Sequence, residues 1–146
     1  MSNLPDLFVH HLQLRTRFSD VDMLGHVNNA VYLTFLEEAR VHYARDVLNW
    51  DGEPDHMGMI VAKCTIDYLL PLRAGEEIAI FTRCSRIGRK SFDFTYFIAR
   101  PDQEQLVATA LTTMVAFDYR AGRSILFPEP WRMHILAFET HAPEEA

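Results

Sequence analysis

Phe18-Ser-Asp-Val-Asp-Met-Leu-Gly-His-Val-Asn-Asn-Ala-Val-Tyr-Leu-Thr-Phe-Leu-Glu-Glu-Ala-Arg40 is the stretch on which the reading of this chain turns. A polar loop carrying Asp20, Asp22, Gly25, His26, Asn28 and Asn29 runs unbroken into an apolar segment, so ionisable groups are delivered to the start of a helix. With Asn28 as N-cap, its side-chain oxygen accepts from the N–H of Ala30 or Val31, and Val27 packs on Tyr32 as a hydrophobic staple. The Asn29 N–H then has no partner within the helix. At the positive end of the helix dipole such a donor suits an anion, or an oxygen gaining negative charge. Asp22 lies just upstream, where a carboxylate serves as general base or as nucleophile.

Outward from this loop the elements follow by pattern. Tyr32, Leu36, Ala39, Tyr43 and Val47 recur at helical spacing, and Val31, Leu33 and Phe35 widen the stripe. They predict a helix from Asn29 to about Leu48, which at 1.5 Å per residue spans ~30 Å. Loose alternation over Phe8–Phe18 predicts a first strand, and Asn49–Asp55 a turn-rich stop. Beyond it, Ile60, Ala62, Cys64, Ile66, Tyr68 and Leu70 alternate with Lys63, Thr65 and Asp67 up to Pro71. Glu77–Ile87, Ser91–Arg100 and Leu106–Asp118 read as further strands. Phe92, Phe94, Tyr96 and Ile98 share one face of the second of these, and Gly88–Lys90 makes a tight turn before it.

About five neighbouring strands with one long helix to cover them imply an α+β fold, an antiparallel β-sheet wrapped around one long central α-helix. Apolar residues on both faces of Leu106–Asp118 predict that part of the sheet meets a second subunit. Pro130–Phe138 starts a last short helix, and the tail His141–Ala146 is expected to be disordered.

With 146 residues, 49% hydrophobic and 23% charged, the chain fits a single domain over 1–146 with its core at about 8–139. A net charge of −6 argues against a nucleic-acid partner that needs a basic surface, and no apolar run predicts a membrane span. Met1–His10 lacks the features of a signal peptide, and Cys64 and Cys84 suit buried free thiols, so a cytoplasmic protein is expected. The seven His show no zinc-motif spacing, so no metal is expected.

The pattern Phe18-x-Asp20-x-Asp22-x-x-Gly25-His26-Val27-Asn28-Asn29-x-x-Tyr32, followed by Glu37-x-Ala39-Arg40, resembles the signature of hotdog-fold acyl-CoA thioesterases of the 4-hydroxybenzoyl-CoA thioesterase type. Tyr68-x-x-Pro71-Leu72-x-x-Gly75-Glu76, Arg86-Ile87-Gly88-x-x-Ser91-Phe92 and Phe127-Pro128-Glu129 extend the likeness over nearly the whole chain. The resemblance implies hydrolysis of an acyl-CoA to free acid and CoA without cofactor, by subunits paired as a dimer or tetramer with the site between them. It also implies Asp22 as base or nucleophile and the Asn29 N–H as oxyanion donor. His26 orients Asp22, donates to the carbonyl, protonates the leaving thiolate or serves only the loop.

Substrate contacts are implied for Val27, Asn28, Val31 and Tyr32, with Phe35 behind them, and for Arg86, Arg89, Lys90 and Ser91, where the family contacts the nucleotide. Glu37 is the reserve carboxylate, expected otherwise to pair with Arg40 at i+3. An acyl-carrier-protein thioesterase and a non-catalytic acyl-binding module are the alternatives. A hydratase is disfavoured because His26 follows Gly25 four residues after Asp22.

Overall fold

The computed structural model describes residues 4–146; the first three residues of the expected 1–146 domain lie outside this range. After a short helix α1 (Leu4–Leu7) come β1 (His10–Arg15), α2 (Val31–Asp46), β2 (Met59–Tyr68), β3 (Glu77–Ile87), β4 (Ser91–Arg100) and β5 (Gln105–Asp118). A two-residue β6 (Arg123–Ser124), helix α3 (Glu129–Phe138) and a two-residue β7 (Glu144–Glu145) complete the chain. Strands β1 to β5 pair antiparallel in the order β1-β3-β4-β5-β2, and the sheet closes over α2 in the hotdog arrangement.

Packing follows the apolar periods. Tyr32, Phe35, Leu36, Ala39, Tyr43 and Ala44 form the buried stripe of α2 and join one core with Ile78, Ile80, Phe92, Phe94, Tyr96 and Ile98 of the sheet. The rings of Tyr43 and Phe94 meet edge to face at 5.0 Å, and those of Phe92 and Phe94 at 5.5 Å. Burial pushes the Tyr96 phenol up to about 12, so it remains a donor; its hydroxyl lies 2.7 Å from the Thr112 hydroxyl. Cys84 is buried, and its thiol is likewise raised to about 12.

Several expectations are corrected. Helix α2 begins at Val31 rather than Asn29, because Asn29 and Ala30 form the turn that leads into it. Leu33, assigned to the apolar stripe, is 48% exposed, since it projects away from the sheet. A bulge between Val61 and Lys63 shifts the alternation of β2. Val61 is therefore level with Met114, and Ile60 with Val115. Strand β5, apolar on both faces, lies inside the sheet between β4 and β2. The edge is β2. Finally, the tail expected to be disordered pairs through β7 with Arg86 and Ile87 of β3, and the Arg83 guanidinium donates to the His141 carbonyl.

The polar hub beside the sheet sets the position of the site. The Arg100 guanidinium forks onto the Glu76 carboxylate at 2.9 and 3.1 Å and also donates to the Pro71 carbonyl. Glu76 in turn accepts the Arg73 N–H at 2.6 Å, and its own N–H donates to the Thr16 hydroxyl at 2.9 Å. The Arg100 hydrogen bond, against the opposing pull of burial, holds the Glu76 carboxyl below its ordinary value of 4.5.

Glu76→Gln is expected to lower stability by about 1.5–3 kcal/mol in a urea titration at pH 7. Because the folded carboxyl is depressed, this stabilisation is complete above the unfolded value and is lost as pH falls through the folded one. The gap between the two proteins should therefore close in acid.

Candidate active site

The loop Asp20–Asn28 is tied at both ends. Val21 and Val27 form a bridge, the Asp22 N–H donates to the His26 carbonyl at 2.9 Å, and the Gly25 N–H donates back to the Asp22 carbonyl at 3.0 Å. This tight return needs the positive φ of +80° that Gly25 supplies. From outside, the Val27 N–H donates to the Leu72 carbonyl at 2.7 Å and the Asn28 N–H to the Asp20 carbonyl at 2.9 Å.

The two aspartates differ. Asp20 is 3% exposed and accepts the backbone N–H of Arg17 at 2.8 Å and its guanidinium at 2.9 Å. Burial pulls its carboxyl up, but the Arg17 bonds and charge outweigh this and leave it below its ordinary value. Asp20 therefore holds the loop. Asp22 is exposed, and one carboxylate oxygen accepts the Leu24 N–H at 2.9 Å.

The Asn28 side-chain oxygen accepts the Ala30 N–H at 2.9 Å as expected, but within the turn that precedes α2, whose N-cap is Ala30 with no side-chain cap. Among the described residues, no acceptor takes the Asn29 N–H. The Asn29 carbonyl accepts from the Tyr68 hydroxyl at 2.9 Å, and the Tyr68 ring stands perpendicular to Tyr32 at 5.0 Å. Burial raises both phenols, which keeps them protonated at neutral pH.

His26, Val27, Asn29 and Tyr32 line a half-open cavity of about 280 Å³ together with Tyr68, Leu69, Leu70 and Pro71. Four of the predicted residues are thus brought together. Asn28 and Val31 flank this group without lining the cavity, and Asp22 sits at the loop outside its lining. Tyr68 and the two leucines were missed as site residues; their signal was an apolar run ending at Pro71, which reads equally as the close of a strand.

The second predicted group stands apart. Arg86 forks onto Asp93 at 2.8 and 3.2 Å and donates to the Ser91 hydroxyl at 3.0 Å, so this guanidinium and Ser91 are engaged within the fold. Arg89 and Lys90 are exposed at the turn. Ser91 is level with Val115 and Ile60 across the sheet, whereas Tyr68 is level with Ala108, seven residues back along β5. At about 3.4 Å per residue the basic turn lies roughly 24 Å from the Asn29 cavity within one chain.

A profile of the thioesterase-like superfamily matches residues 16–135, and the chain belongs to that superfamily. Among solved structures it resembles a thioesterase of Thermus thermophilus complexed with coenzyme A and Zn, with a TM-score of 0.81 and 31% identity over 93% of this chain and 98% of that one. The long-chain acyl-CoA thioesterase FadM of Escherichia coli (strain K12) is 28% identical over 77% of this chain and 86% of its own length. A chloroplastic acyl-acyl carrier protein thioesterase of Arabidopsis thaliana, ATL2, is 30% identical over 78% of this chain, which spans 63% of that protein. Among the described residues no helix is long and apolar enough to cross a membrane, and no three metal-ligating side chains cluster.

Tyr68→Phe removes the hydroxyl that holds the Asn29 peptide while keeping the ring. Hydrolytic kcat/KM should fall about two- to tenfold with the fold intact, the worth of one hydrogen bond. Steady-state thiol release beside a thermal melt measures both.

Proposed function

We propose that this protein hydrolyses acyl-CoA thioesters to the free carboxylic acid and CoA. The observation that carries this reading is the unengaged Asn29 N–H, in the turn that leads into α2 and beside a cavity that also presents His26. A thioester carbonyl placed there gains its negative charge against a fixed donor, an interaction typically worth ~3–4 kcal/mol in the transition state. The thiolate is a good leaving group, so one carboxylate and such a donor suffice.

Asp22 supplies the carboxylate, as a base towards water or as a nucleophile. Its second oxygen, beyond the one held by Leu24, is the group that meets the substrate once the acyl-CoA is seated. His26 supports it from the cavity wall. Val27, Asn28, Val31 and Tyr32 surround the acyl end. The long-chain relative FadM favours an aliphatic acyl group, whereas the likeness to ATL2 favours a second reading in which a carrier protein presents the same thioester.

Arg89 and Lys90 hold the CoA phosphates, and Arg86 and Ser91 shape their turn. Their separation from Asn29 within one chain implies that they come from a second copy, so the active form is a dimer or a tetramer built from dimers. The two free thiols, Cys64 and Cys84, suit the reducing cytoplasm, where we place the protein.

Thiol release from short, long and aromatic acyl-CoAs and from acyl-carrier proteins tests this directly. Asp22→Asn should slow the preferred substrate at least a hundredfold, about 2.7 kcal/mol, with folding unchanged. Equal rates would move the chemistry to His26 or Glu37, and no release from any thioester would leave a binding module. Arg89→Ala with Lys90→Ala should raise KM for acyl-CoA about tenfold or more, yet leave the matching acyl-pantetheine unaffected.

A further inference from the structure

Strand β3 is longer than the strand beside it. β1 covers its edge only from Glu77 to Thr82, where His10 is the last level residue. The rest of that edge, Arg83 to Ile87, is covered by the segment that follows α3. The Glu139 carboxylate takes the place of a strand carbonyl and accepts the Cys84 N–H at 3.1 Å, while the Tyr43 hydroxyl donates to the same oxygen at 2.6 Å. The Arg83 guanidinium donates to the His141 carbonyl at 3.2 Å, and Glu144 and Glu145 pair with Arg86 and Ile87. The Ala146 N–H then donates to the Ile87 carbonyl at 3.0 Å. Residues 139–146 thus form a strap along the sheet edge.

The strap is lightly held. Beyond Glu139 its one buried residue is Pro143. Glu139 Oε1 and Arg83 Nε are buried where it docks, and neither has a hydrogen-bond partner among the described residues. Lifting the strap returns both atoms to water, which offsets part of what the broken bonds cost. A segment with so little apolar burial opens far more readily than the core.

The strap points at the basic turn. β7 runs parallel to β3, so it leads Glu144 and Glu145 towards Gly88–Lys90. With about 4.8 Å between strands and about 3.3 Å per residue along them, the Glu145 backbone comes within roughly 8 Å of that of Arg89. This is about one Debye length at physiological salt, so the charges act on one another. Glu145 pairs with Arg132, whereas Glu144 is exposed and has no ion pair among the described residues. The exposed Arg89 and Lys90 therefore have two carboxylates of their own chain as neighbours.

We infer that the strap is an acidic gate on this turn, setting Glu144 and Glu145 in competition with the phosphates of CoA for Arg89 and Lys90. Free CoA, the product, carries the same phosphates as the substrate, so a standing competitor hastens its departure. By reciprocity, CoA held at the turn loosens the strap by the factor by which the strap weakens CoA. The inference rests on reading Arg89 and Lys90 as the phosphate site.

Calorimetric titration of the whole chain with CoA, beside hydrogen exchange, tests it. Glu144→Gln with Glu145→Gln should tighten CoA binding threefold or more at low ionic strength. The gain should shrink in about 1 M salt, where screening sets in at ~3 Å. Adding Arg132→Gln, which removes the guanidinium that Glu145→Gln leaves unpaired, should keep the gain. Saturating CoA should also speed amide exchange in residues 144–146 of the unmodified protein at least threefold. An affinity unchanged by the double variant, a gain lost with Arg132→Gln, or strap exchange that CoA leaves alone or slows would overturn the inference. Arg89→Ala with Lys90→Ala separates the two readings. If it weakens CoA while the glutamine variant changes nothing, the phosphate site stands and the gate falls; if it leaves CoA binding unchanged, or if the chain does not bind CoA, both fall.

Discussion

The fork of Arg100 on Glu76 is the constraint from which the site is hung. Arg100 ends β4, inside the sheet, and reaches across to a loop that Thr16 also fastens through its hydroxyl and backbone. By gripping the Glu76 carboxylate and the Pro71 carbonyl, it fixes the segment whose Leu72 carbonyl receives the Val27 N–H. Val27 in turn positions His26 and Asn28. A loop lined with exposed polar groups has little apolar area with which to hold itself in place. The charge-assisted bonds at its rear supply that order, and they are worth more than neutral ones because the pair is partly withdrawn from water.

The same division of labour separates neighbouring aspartates. Asp20 spends both oxygens on Arg17 and is buried, so it keeps a permanent charge that anchors the loop. Asp22 gives one oxygen to an Asx-type bond with Leu24. That bond orients the carboxylate without consuming it, and leaves the other oxygen for chemistry under the proposed function. A carboxylate fully satisfied like Asp20 would make a poor base, while one wholly free in solvent would lack a defined direction.

Much of this was legible in the sequence because it is local. Helical and strand periods located α2 and the ends of β3 and β4, and the loop motif placed the Asn28 side-chain bond, the free Asn29 N–H and the contrast between loop and helix. What was not legible depends on partners distant along the chain. Nothing in Val61-Ala-Lys63 announces a bulge, since either alternation satisfies the residues until β5 is laid beside them. Arg86 looked like a free basic residue because Asp93 becomes its partner only through the β3–β4 register. The tail read as disordered because Glu144 and Glu145 are poor strand formers, and their order comes from pairing on β3 and from contacts with Arg83 and Arg132. Tyr68 was visible as part of a motif, but its bond to Asn29 spans 39 residues.

The proposed chemistry also explains why an acidic chain concentrates exposed cations at one turn. CoA is a polyanion at one end and an apolar acyl chain at the other, so its site must join regions of opposite character. In a single sheet the two regions occupy opposite ends of the strands, because the loop holding Asp22 follows β1 whereas Arg89 and Lys90 lie between β3 and β4. Folding one chain more tightly cannot bring them together, since the ladder registers set their separation. Under the proposed function, a second copy of the chain therefore supplies the phosphate-binding turn.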